Sequence, residues 1–61
     1  MTKAEQANWM INLEEITSQV DAENVKFVCG KYGAKSIYSL SPNNYQEVWN
    51  ELFQYAIDAN E

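Results

Sequence analysis

The sequence predicts an all-α protein, a compact three-helix bundle with an extra short helical turn. Two kinds of observation predict it. Apolar residues recur at helical spacing in three separate stretches, and each stretch is bracketed by residues that start or stop helices. A single domain over residues 1–61 is expected, with helices over about 3–20, 22–32 and 42–59 and a short turn over about 36–40.

The first helix opens at Thr2-Lys3-Ala4-Glu5, the form of a capping box in which Thr2 accepts from the Glu5 amide and Glu5 reaches back. Trp9, Leu13, Ile16 and Val20 then follow at spacings of four, three and four, a narrow stripe for the core, with Met10 and Thr17 beside it. Asp21 offers an N-cap for a second, shorter helix, in which Val25, Val28, Cys29 and Tyr32 fall at i, i+3, i+4 and i+7. Gly33, just past the last of these, is placed to take the left-handed conformation of a helix stop, with Lys31 beside the last carbonyls where a cation is favoured.

Ile37 and Leu40 are three apart, which fits one tight turn plugging the end of the core. Ser41-Pro42 opens the last helix, serine as N-cap and proline at the first position, where its missing N–H costs nothing. Tyr45, Val48, Trp49, Leu52, Phe53, Ala56 and Ile57 form a broad apolar face, the strongest periodicity in the chain. Gln46, Glu47, Asn50, Glu51, Gln54 and Asp58 take the opposite side.

Composition narrows the function classes. An apolar share of 46% with eight aromatic residues is enough to offset chain entropy, so the chain folds rather than staying disordered. Nine acids against four lysines, without arginine or histidine, give a net charge of −5, which repels phosphate backbones and removes the bidentate contacts of base readout. Direct nucleic-acid binding is therefore not expected. The lone Cys29 cannot form an intramolecular disulfide, and the longest apolar runs are three residues, so a cytoplasmic protein with no membrane partner is expected. A core of this size rarely supplies more than roughly 3–5 kcal/mol, which leans the reading towards a homodimer or a binding target.

No residue cluster spells a reaction. Cys29 would need a base, and only Lys26 or Lys31 stand near it in sequence; its place on the apolar stripe reads as a small core residue. Glu14 and Glu15 point about 100° apart on a helix and cannot converge on one bond. Glu47 and Glu51 lie at i, i+4 on an outer face, where water screens them. The residue types for a transition-metal or calcium site are missing, and Gly30-Lys31-Tyr32-Gly33 lacks the spacing of a phosphate loop. The expectation is a protein that is not an enzyme and uses no cofactor.

The surface is more informative. Ala4, Ala7 and Ile11 form a second weak seam opposite Leu13, and Phe27 points away from the Val25–Tyr32 face. Two arrangements fit: a sandwiched second helix that buries Phe27 from its other side, or Ile11 and Phe27 as exposed anchors for another chain. Lys26, Lys31 and Lys35 gather in the middle segment while the outer helices carry mostly acids, a dipolar surface suited to steering a partner. The candidate partner-binding set is Ile11, Phe27, Glu14, Glu15, Glu47, Glu51 and Asp58, the acids offering a weak mimic of nucleic acid.

From Val28 to Phe53, "VCGKYGAKSIYSLSPNNYQEVWNELF", the chain resembles small helical modules of phages and mobile elements of Gram-positive bacteria. The shared pattern is an apolar helix, Tyr32-Gly33, a turn with Ile37 and Leu40, a capped proline start, Tyr45 and an amphipathic final helix. It is similar to the C-terminal modules of phage single-strand annealing and recombination proteins, and to short free-standing phage proteins of the anti-CRISPR type. The start at Met1 with no recombinase core attached favours a separate small protein in a bacterial host cell. The resemblance implies a protein that binds and modulates or inhibits a larger protein of DNA metabolism or defence, most concretely an RNA-guided nuclease. The alternatives are a recombination adaptor recruiting an exonuclease or single-strand-binding protein, and a homodimeric structural protein.

Overall fold

The computed structural model describes residues 1–59. Thr2 begins the fold: the Glu5 N–H donates to Thr2 Oγ1 at 3.1 Å, and the Thr2 N–H donates to Glu5 Oε1 at 3.1 Å. Both bonds of the capping box are thus made, and helix α1 runs Lys3–Thr17.

Three residues fewer are helical than the periodicity predicts, because the Thr17 hydroxyl donates to the Glu14 carbonyl at 2.9 Å and the Ser18 hydroxyl to the Glu15 carbonyl at 2.6 Å. These side chains satisfy carbonyls at the helix end, and tighter bonds from Gln19 to Ile16 and Val20 to Thr17 turn the chain. Val20 still packs on the core from this turn.

Helix α2 spans Ala22–Lys31. Asp21 stands at its N-cap, but its side chain makes no capping hydrogen bond, so the expected cap is positional only. The C-terminal end is fully built. The Gly33 N–H donates to the Gly30 carbonyl at 3.1 Å and the Ala34 N–H to the Cys29 carbonyl at 3.0 Å, the paired bonds of a Schellman stop. Gly33 carries the positive φ of 75° that this stop requires, and Ala34 after it is buried in the same core cluster as Cys29.

A 3₁₀ turn over Ile37–Ser39 follows, capped by Ser36, whose hydroxyl accepts from the Tyr38 N–H at 3.3 Å. Ile37 and Leu40 are both buried, closing one end of the core as their spacing predicts. Pro42–Asn44 form a second 3₁₀ turn that leads directly into helix α3, Tyr45–Ala59. The α-helix proper therefore starts three residues later than expected, and the Ser41 side chain makes no capping bond.

Helix α3 is central, packing against both α1 and α2. Leu13, Val28, Cys29, Val48 and Leu52 are completely buried between the three helices, ringed by Ile16, Ala34, Tyr45 and Ala56. Full burial of each large aliphatic side chain contributes about 1.5–3 kcal/mol before entropy is counted. The core holds no buried polar side chain among the described residues. The radius of gyration is 10.9 Å, against roughly 10.5 Å for a compact chain of this length.

The fold is all-α, a small three-helix bundle with short 3₁₀ turns. The apolar face of α3 is wider than the core it meets: Phe53 and Ile57 remain 39% and 37% exposed. No helix among the described residues is long and apolar enough to cross a membrane.

Candidate interaction surface

Helix α2 turns Val28 and Cys29 inward, so the 100° step per residue directs Phe27 outward. Phe27 is 61% exposed, which settles the open alternative: the second helix is not sandwiched. Lys31, one turn along, lies over the ring with its Nζ 5.5 Å from the centroid. The same ammonium pairs with Glu51 Oε1, and the Tyr32 hydroxyl donates to Glu51 Oε2 at 2.5 Å. One carboxylate of α3 thereby gathers the last turn of α2, and Lys31 is held where it flanks Phe27.

This cluster fixes its own electrostatics. The hydrogen bond to Glu51 pushes the Tyr32 phenol up to about 12, since ionising it would place two negative charges together. The Lys31 hydrogen bond, helped by that of Tyr32, holds the Glu51 carboxyl below its ordinary range. Glu51 is thus half-buried and engaged within the fold, where the sequence placed it on an outer, water-screened face. Glu47 remains exposed and adds its negative field at Tyr32.

Glu14 is also bound within the molecule. The Tyr38 hydroxyl donates to its Oε2 at 2.7 Å, tying α1 to the first 3₁₀ turn, and that bond raises the Tyr38 phenol above its ordinary value. Glu15 and Asp58 are exposed, and Ile11 is 55% exposed on the far side of α1 from Leu13. The seven candidate residues are therefore spread over all three helices, with two of the acids serving as internal struts.

Cys29 lies fully inside the core, and burial pushes its thiol up, against the thiolate that nucleophilic chemistry needs. Two of the surface clefts border α1. One, about 160 Å³, lies between α1 and α3, where Asn12, Glu15, Ile16 and Gln19 face Trp49 and Phe53. The two rings stack with centroids 4.9 Å apart and planes 12° from parallel.

The other cleft, about 290 Å³, lies where α1 gives way to α2, lined by Thr17, Val20, Ala22 and Val25 with Lys26, Lys35 and Ser36. Sequence reasoning grouped these lysines in the middle segment without seeing the apolar floor between them. The signal was present in Val20 and Val25, the last residue of the first stripe and the first residue of the second, which meet at the junction of the two helices and are only partly buried. Comparison with known protein families, with curated proteins and with solved structures found no match for this chain.

Proposed function

We propose that this chain is a non-enzymatic binding module that docks on a larger protein and modulates it. Following its resemblance to small phage helical proteins, the target is a protein of DNA processing or defence, in the most concrete form an RNA-guided nuclease that the chain inhibits. The observation that carries the binding reading is Phe27. A large aromatic side chain is 61% exposed on a helix whose other side holds the completely buried Val28 and Cys29, and Lys31 holds a cation at its face. Aromatic groups of this kind anchor protein interfaces.

The acidic balance of the chain fits an inhibitor that meets the basic nucleic-acid channel of such a target, with Glu15, Glu47 and Asp58 among its exposed acids. The test is a cleavage assay: purified protein is added to a guide-loaded nuclease and its DNA target. Inhibition that disappears with Phe27→Asp supports the reading. An unaffected nuclease, together with recovery of a recombination exonuclease or single-strand-binding protein on the immobilised chain, replaces the inhibitor with the adaptor. A tight homodimer that buries Ile11 and Phe27 removes the motive for both.

A further inference from the structure

We infer that the cleft at the α1–α2 junction is a second binding site, one that takes an acidic, apolar segment of a partner protein. It rests on the reading of the chain as a protein-binding module and names a surface separate from the Phe27 ring.

The cleft has two chemistries in one place. Its floor is aliphatic, from Val20, Ala22 and Val25, and its rim carries Lys26 from α2 and Lys35 from the segment after the Gly33 stop. No acidic side chain lines it among the described residues. Among the described residues neither lysine has a carboxylate within ion-pair distance, whereas Lys31, which lies between them in sequence, is paired with Glu51. Of the three lysines without an ion pair among the described residues, Lys26 and Lys35 stand around one apolar hollow, and Lys3 lies at the start of α1.

That arrangement selects its occupant. A leucine-like side chain would fill the hollow, and a glutamate or aspartate on either side of it would reach the two ammonium groups. A nucleic acid fits poorly, because its phosphates would meet the acidic remainder of the molecule while an apolar floor offered them nothing. At about 290 Å³ the cleft lies near the lower bound for small-ligand sites and suits one anchoring side chain better than an enclosed metabolite.

The probe is the peptide N-acetyl-Glu-Leu-Leu-Glu-amide, titrated into isotopically labelled protein and followed by amide NMR shifts. Saturable shifts at Ala22, Val25, Lys26, Lys35 and Ser36, weakening with salt, are expected. The glutamine analogue of the peptide and the Lys26→Gln, Lys35→Gln double variant each bind about tenfold more weakly, while Lys3→Gln is unchanged. Equal binding of the glutamine analogue, shifts centred elsewhere, or no shift overturns the site. So does a single-stranded oligodeoxynucleotide that moves the same amides at lower concentration. If the double variant keeps a target that Phe27→Asp loses, the cleft proposal falls and the binding function stands.

Discussion

Glu51 joins two helices through both of its carboxylate oxygens, and its surroundings give the fold a pH signature. Tyr32 is raised to about 12, above its unfolded value, so its bond contributes stability that is complete below the ordinary tyrosine range and lost as pH climbs through about 12. Glu51 acts in the opposite sense. Its carboxyl is lowered, first by Lys31 and then by Tyr32, so its contribution is present above the ordinary carboxylate range and lost as pH falls through the lowered folded value. Thermal stability should accordingly be flat around neutrality and fall on both sides. In Glu51→Gln the charge that suppresses Tyr32 ionisation is gone, and the Tyr32 ring signal in an NMR pH titration should move down towards the ordinary tyrosine range. A Tyr32 that still titrates at about 12 in that variant would show that Glu51 is not the cause.

At the level of elements, the two glycines of α2 and its stop give opposite predictions. Gly30 is inside the helix with nothing within 4 Å of an added Cβ, so Gly30→Ala should stabilise by about 0.5–1 kcal/mol. Gly33 also has open space, yet its φ of 75° strains any side-chain-bearing residue, and Gly33→Ala should cost about 1–2 kcal/mol. For a domain of this size each kcal/mol moves Tm by about 4–8 °C, so two melting curves separate the pair. Gly33 was legible in the sequence because a helix stop is a local matter of one residue and its neighbours. The Thr2–Glu5 box and the Ile37–Leu40 turn were legible for the same reason. The end of α1 was less so, since the hydroxyls of Thr17 and Ser18 compete for carbonyls that periodicity alone assigns to a longer helix. The struts were not legible at all. Tyr32 and Glu51 are 19 residues apart, Tyr38 and Glu14 are 24 apart, and nothing local says which acid will meet which phenol. The wide face of α3 misled for a related reason. Phe53 lies about 200° round the helix from Glu51 and faces the open cleft against α1, where Asn12, Glu15 and Gln19 leave its ring partly exposed.

For the molecule as a whole, small size sets the contrast between inside and outside. Leu52 is completely buried, and truncating a buried leucine to alanine costs about 2–5 kcal/mol, comparable with the ceiling of roughly 3–5 kcal/mol that a core of this size rarely exceeds. Leu52→Ala should therefore lose most of its helical circular dichroism at room temperature. Ile11 and Phe27 are more than half exposed, and surface changes away from caps and networks stay within about 0.5 kcal/mol. The cation contact of Lys31 with Phe27 adds little at an exposed site. The double variant Ile11→Asp, Phe27→Asp should thus keep its helicity and a melting transition close to that of the parent while losing its target. The two measurements make the result decisive: unfolding of the double variant would place those side chains in a structural role and remove the anchor from the surface. Retained folding with undiminished binding would move the interface elsewhere, and retained folding with lost binding would locate it on the outer sides of α1 and α2.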